Sequence, residues 1–340
     1  PKRVMAFGIL LTGASFIWMS RMQSLWEFYC AITILTLGMS FGTFIIFLAV
    51  VGNWFQKNRG KAISVLMSGA GLGGITIPLI VLGIEEFGWR NMIFSVGIGF
   101  WVLGLPTSLI LRGDPEDYGQ YPDGEKRNNQ QSSDNKLDSR DSGFSVKEAL
   151  RNGNFWKLAL AAGISQAVFT SNLFHLTSFK EFGLTTAFAA TIIGLSWWGD
   201  ILGRVVVGFI TDKYDRKFLL TISFSLLTLG ILGVSIIGSQ SEFILFNRNL
   251  GIILFIIFFG LGFGSSVPLR LTLAADYFGR KNYGSMVGIL NTVGAVFGTL
   301  SPLLVGLTKD FTGDYIYAYY ILTFMMIFTI PLVISLRKNN

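Results

Sequence analysis

Charge is scarce in this chain of 340 residues: 14% are Asp, Glu, Lys or Arg, against 51% hydrophobic. A soluble surface needs roughly a quarter or more charged residues, so a soluble globular protein is excluded. A single cysteine, Cys30, rules out an intramolecular disulfide and a multi-cysteine metal site. A single histidine, His175, rules out a multi-histidine metal centre and removes most hydrolytic arrangements. No cluster of acids, nucleophiles or metal ligands stands out, and no cofactor, no metal and no enzymatic activity are expected. Period-two alternation is also missing, which disfavours a β-barrel.

Long apolar runs are abundant. Stretches free of Asp, Glu, Lys and Arg cover 4–20, 28–56, 62–84, 91–111, 158–179, 218–241, 249–269, 282–308 and 315–336. A tenth segment, 184–210, carries only Asp200 and Arg204. A helix needs ~20 apolar residues to cross the hydrocarbon layer, so these runs predict an all-α integral membrane protein with ten transmembrane helices.

The loops predict an orientation. One side collects twenty basic residues, including Lys57, Arg59, Lys61, Lys213, Arg216, Lys217, Arg280 and Lys281; the other holds five. The positive-inside rule makes the first side, with the central loop and the C-terminus, cytoplasmic, as expected for a multi-pass protein of the plasma or cell inner membrane. The net charge of +7 is then a topology signal, and nucleic acid is not an expected partner.

Residues 113–154 form the one long polar stretch and read as a largely disordered cytoplasmic linker. The segment 145–157 has apolar residues near helical spacing, fitting a surface helix ahead of the next span. The linker separates a four-span half-bundle, 1–112, from a six-span half-bundle, 155–340. The halves repeat: Asn53 to Gly60 answers Asp276 to Gly284, and Leu66, Gly74 and Pro78-Leu79 answer Leu290, Gly298 and Pro302-Leu303 at an offset of 224. Parallel repeats of this kind build some transporters. The mismatch of four spans against six leads to the expectation of a twelve-helix parent lacking about two N-terminal helices here.

The chain also resembles a known family. Gly208-Phe-Ile-Thr-Asp212-Lys213-Tyr-Asp215-Arg216-Lys217 matches the signature cytoplasmic loop of the major facilitator superfamily, and Pro1-Lys2-Arg3 is similar to the tail of its counterpart. The resemblance runs essentially end to end and implies the major facilitator fold, with the present spans as family helices 3 to 12. The stretch from Trp54 to Ala62 leading into Ser68-Gly69-Ala-Gly71-Leu-Gly73 resembles the fifth-helix signature of monocarboxylate transporters and oxalate–formate antiporters. Asp200-x-x-x-Arg204 falls where monocarboxylate transporters carry the same pair on the eighth helix. By resemblance, Asp212, Arg216, Lys217, Arg59 and Arg280 belong to gating loops; the plainer alternative is a basic topology anchor.

Asp200 is the only carboxylate inside a span, and its i,i+4 spacing to Arg204 puts both on one helical face in the favourable order. Charges at such depth are expensive and are expected to face a cavity or each other. Arg204 would bind a substrate carboxylate while Asp200 accepts a proton; a static salt bridge is the alternative. Arg270, after Pro268, reads as snorkelling to the interface, with a gate or anion-admitting role as the other option. His175 suits a proton relay or a polar interfacial position. Asn291 and Thr292 offer substrate or interhelical hydrogen bonds. Trp197 and Trp198 are candidates for a cavity wall, with lipid or packing as the alternative for at least one.

Gly69-x-x-x-Gly73 and Gly294-x-x-x-Gly298 are small-xxx-small patterns expected at close helix contacts. Gly69 to Gly74 also superficially matches a dinucleotide fingerprint, but it lies in an apolar span with no βαβ unit. The expected function is a secondary active transporter of small organic anions, monocarboxylate-like, working by alternating access with proton coupling. Its partners are the lipid bilayer, a small carboxylate substrate and protons. Carboxylate antiport, a carrier of neutral or drug-like solutes, and a non-transporting membrane receptor are the alternatives.

Overall fold

A computed structural model describes residues 2–42, 72–113, 145–211, 213–239, 245–278 and 283–337, together with 46, 47, 50, 51, 54, 55, 62, 65, 66, 69, 115 and 118–121. The described residues are helical or connecting, without strands. Eight of their helices are long and apolar enough to cross a membrane. The predicted runs 28–56 and 62–84 fall partly outside the described residues. The run 158–179 is carried by two helices with a break at Ser171. By clustering of contacts the chain divides into two compact units, Pro1–Leu66 with Pro78–Asn128, and Met67–Ile77 with Asn129–Asn340.

The first unit contains α1 (Lys2–Arg21), α2 (Leu25–Gly42), α3 (Ile77–Phe87, which starts at the unit boundary) and α4 (Trp89–Ile110). The buried stripe of α1 runs through Met5, Gly8, Ile9, Thr12 and Gly13, a helical repeat built mainly from small residues. That stripe lets α2 approach closely: a Cβ at Gly38 would stand 2.7 Å from the Thr12 backbone nitrogen. Arg90 of α4 donates to the carbonyls of Ser20 (3.1 Å) and Met22 (2.9 Å), satisfying acceptors at the end of α1. Gly88, at φ 78°, supplies the left-handed turn between α3 and α4.

The second unit begins with α5 (Val146–Arg151), started by a capping box in which Ser145 Oγ accepts from Glu148 N and Glu148 Oε2 accepts from Ser145 N. Then follow α6 (Gly153–Thr170), α7 (Asn172–Glu181), α8 (Thr186–Ile210) and α9 (Arg216–Gly238). Next come α10 (Leu245–Leu254), a π-helical turn over Phe255–Phe259, α11 (Gly260–Phe278), α12 (Tyr283–Thr312) and α13 (Ile316–Ile334). Its core is a continuous cluster of Phe, Leu, Ile, Val and Ala from α6 to α13. The outward residues of α8, among them Leu195, Trp198, Leu202, Val206 and Phe209, are exposed large hydrophobics, as a lipid-facing stripe requires.

Helices α8 and α11 make the tightest seam near the charged pair. Gly199 and Gly203 on α8 meet Gly260 and Gly264 on α11: a Cβ at Gly203 would lie 2.8 Å from the Ser265 nitrogen, and one at Gly264 would press on the Asp200 backbone 2.8 Å away. The small-residue patterns singled out in the sequence are used less. A Cβ at Gly69 or Gly73 would meet nothing within 4 Å among the described residues. Gly294 sits at ordinary distance from Gln166, and only Gly298 is close, 3.1 Å from Thr170 Oγ1. The expectation of close packing at Gly69 and Gly73 therefore finds no partner among the described residues. Spacing defines a face but does not say whether another helix lies on it.

Candidate functional site

The centre of the site is a buried ion pair on the inner face of α8. Arg204 Nε donates to Asp200 Oδ2 at 2.9 Å and its Nη2 to Oδ1 at 3.0 Å, a two-pronged arrangement matching the guanidinium fork to the carboxylate. Asp200 is 2% exposed and Arg204 7%. The i,i+4 spacing read from the sequence is what permits this geometry on a single helix. Ser196 and Trp197, one turn earlier, line a narrow pocket of about 10 Å³ beside Asp200, closed by Phe169, Asn172, Phe259 and Phe263. That is room for about one water molecule.

Arg270 takes an inward position, which corrects the snorkelling reading. Its Nη1 donates to the Ala162 carbonyl at 3.1 Å and to Ser165 Oγ at 2.9 Å, bridging α11 to the middle of α6. The reason is local: Ser165 and Ala162 offer two acceptors within reach of a single guanidinium nitrogen. The Arg270 guanidinium also lies 5.8 Å from the centroid of Phe263, whose ring lines the pocket at Asp200. Asp200, Arg204 and Arg270 thus form a group with two cations and one anion.

Aromatic rings connect this group to its surroundings. Phe263 stacks on Phe169 with centroids 3.8 Å apart, and Phe169 meets Trp197 edge-on at 5.6 Å. Trp197 faces inward, whereas Trp198 is half-exposed. The Trp197 indole Nε1 is buried without an acceptor among the described residues. A larger cavity of about 430 Å³ shares Phe169, Asn172 and Trp197 with the narrow pocket. Asn172 is the residue that sequence reasoning passed over. Its signal was weak, a single amide one residue after the unpredicted break at Ser171.

His175 lies inside the helix bundle. It is fully buried, its ring packed among Phe179, Phe255, Phe259 and Tyr319 at centroid distances from 5.0 to 5.7 Å. Ser171 Oγ approaches Nε2 at 3.5 Å, and Nδ1 has no partner among the described residues. Phe259 packs on His175 and also lines the pocket at Asp200. Asn291 and Thr292 are exposed on α12; the Thr292 hydroxyl donates to its own helix at Gly288.

Of the residues predicted to gate, Asp212, Arg59 and Arg280 lie outside the described residues. Arg216 Nη1 donates to Asp276 Oδ1 at 2.6 Å, tying the start of α9 to the end of α11. Lys217 Nζ donates to the Leu336 carbonyl at 2.8 Å. Because Arg216 and Asp276 are both about one-third exposed, the pair contributes little to stability. Arg216→Gln is expected to cost at most about 1 kcal/mol. Thermal melting of the purified protein checks this, and a large drop would show that the loop carries more than this ion pair.

The Major Facilitator Superfamily model matches residues 1–302. The chain belongs to the Major Facilitator Superfamily. It is a multi-pass membrane protein, as its family and its apolar helices together require. Among curated relatives it is similar to monocarboxylate transporter 12 of Xenopus laevis, 29% identical over 83% of this chain and 62% of that protein. It is also similar to MFS transporter asaE of Aspergillus flavus, 24% identical over 79% of this chain and 55% of that protein. The chain therefore spans about six-tenths of the length of these relatives. Its fold is similar to that of a bacterial homologue of the human lysosomal transporter Spinster, solved inward-facing and unoccupied. That structure gives a TM-score of 0.58 at 15% identity, covering 98% of this chain and 80% of the other.

Proposed function

We propose that this facilitator chain acts in secondary transport of organic carboxylates by alternating access, coupled to protons, with Asp200 and Arg204 at the centre of the site. The observation that carries the reading is the two-pronged Asp200–Arg204 pair, buried in an apolar helix beside a pocket. A buried pair often stabilises a fold no better than apolar residues of the same size. Its cost inside a bilayer is explained if the pair opens during work. In the proposed cycle Asp200 accepts a proton, its hold on Arg204 weakens, and the freed guanidinium fork takes the substrate carboxylate. Arg270 adds a second positive charge beside Phe263, which lines the same pocket.

The similarity to monocarboxylate transporter 12 supports the substrate class. Arg216, Lys217, Arg59, Arg280, Asp212 and Arg270 are assigned to cytoplasmic gating. In this reading, two half-bundles, 1–112 and 155–340, flank a cytoplasmic linker at 113–154. The excess of basic residues supports a cytoplasmic linker and C-terminus, in the plasma or cell inner membrane.

Reconstituted protein is expected to accumulate labelled lactate or pyruvate faster when a proton gradient points inward. Uptake that ignores the gradient and requires carboxylate inside the vesicle would replace symport with exchange. The surplus positive charge of Arg204 and Arg270 over Asp200 favours that second reading, because a bound anion would neutralise the site in both directions. Uptake of no carboxylate by a folded preparation would overturn both.

A further inference from the structure

The larger cavity carries information about the body of the substrate. Its volume is about 430 Å³, within the range of pockets that enclose whole organic ligands. At the ~30 Å³ that each water molecule occupies in the liquid, such a space holds roughly a dozen or more non-hydrogen atoms. A three-carbon acid has about half that number and would leave much of the cavity wet or empty.

The wall is chemically one-sided. Phe169, Leu173, Leu176, Ile193 and Trp197 supply apolar surface, and no lining residue is charged. A second carboxylate would therefore find no cation here, which disfavours dicarboxylates. Three polar groups interrupt the wall: the Thr170 hydroxyl, which donates to the Gln166 carbonyl, the Asn172 amide, and the Trp197 indole bearing the buried Nε1–H that has no acceptor among the described residues. A buried donor left unpaired is costly, so its position calls for an acceptor on whatever fills the space. The orientation is fixed by the neighbouring pocket, because Phe169, Asn172 and Trp197 line both spaces and the narrower one ends at Asp200.

We infer that the substrate is an amphipathic monocarboxylate with an apolar body the size of an aromatic ring. The body occupies the cavity walled by Leu173, Leu176 and Ile193, and the carboxylate points towards the Asp200–Arg204 pair. A keto or hydroxyl oxygen between the two ends would accept from Trp197 Nε1. This inference rests on the carboxylate reading above and adds the size and apolarity of the rest of the molecule.

The test is equilibrium binding of radiolabelled phenylacetate and of radiolabelled lactate to the purified full chain, competed with unlabelled phenylpyruvate and with the neutral phenylacetamide. Burying a ring rather than a methyl group predicts about tenfold or more tighter binding of phenylacetate than of lactate. Phenylpyruvate, which adds a keto oxygen, should compete better than unlabelled phenylacetate. Leu176→Trp, which fills the cavity, should weaken phenylacetate about tenfold more than it weakens lactate. Leu173→Trp at the exposed side serves the same purpose if the first variant fails to fold.

Lactate binding as tightly as phenylacetate would overturn the inference on size while leaving the carboxylate reading in place. Equal losses of both ligands in the tryptophan variants would overturn it as well. Phenylacetamide competing as well as the acid would overturn the carboxylate reading, and with it the amphipathic acid, in favour of a neutral apolar ligand. Failure of both labels to bind a folded preparation would overturn the two readings together.

Discussion

Arg204→Gln will reduce carboxylate uptake by about 30-fold or more, the scale of losing a buried charge partner in binding at about 2–5 kcal/mol. The size of the effect follows from what is left behind. Asp200, 2% exposed, would be left without the fork that satisfies both of its oxygens, at a cost in stability. Part of the loss would then reflect misfolding, so the single variant needs a companion. Asp200→Asn with Arg204→Gln replaces both charges by amides that can bond each other, and is expected to restore most of the thermal stability. It should not restore uptake, because a glutamine offers a carboxylate one amide instead of a charged fork.

Asp200→Asn alone separates binding from coupling. Arg204 would still be present for the substrate, and the group proposed to take the proton would be gone. Carboxylate binding should survive while the response to an inward proton gradient disappears. Uptake by a folded Arg204→Gln protein at near the parent rate would remove Arg204 from the substrate site. It would then favour a carrier of neutral solutes, which has no need of a buried guanidinium.

The features legible in the sequence are those that break a strong rule. A membrane span tolerates few charges, so Asp200 and Arg204 stood out and their spacing gave the pairing. Arg270 broke the same rule, but its direction depended on Ser165 and the Ala162 carbonyl of another helix, which the local sequence does not reveal. The burial of His175 was illegible for a related reason. The segment Asn172 to Phe179 is short and mixed in polarity, and the rings that bury the histidine arrive from α13 and the π-helical turn. Nothing in the run Phe255–Phe259 distinguishes a π turn from an ordinary helical one. The cavity was illegible as well, because apolar residues that line a void have the same composition as those that fill a core.

Gly264→Ala will destabilise the protein by about 1–3 kcal/mol, although alanine is the better helix former by about 1 kcal/mol. The sign is set by the seam: the new methyl would press against the Asp200 carbonyl, and the Asp200 Cα lies 2.8 Å from its position. Backbone on a packed helix cannot swing aside as the end of a side chain can, so α8 and α11 must separate. Gly260→Ala should behave alike, since its methyl would stand 2.7 Å from the Asp200 nitrogen. Gly69→Ala and Gly73→Ala meet nothing within 4 Å among the described residues and are expected to be neutral or slightly stabilising. Thermal melting of the four variants compares identical chemical changes, so helix propensity cancels and only the neighbouring backbone differs. Where Gly264→Ala still folds, uptake should fall by more than stability does, because a displaced α8 carries the Asp200 carboxylate and the Arg204 fork away from the pocket. A Gly264→Ala protein with parental melting and uptake would show that the seam yields easily, and that the positions of Asp200 and Arg204 do not depend on contact with α11.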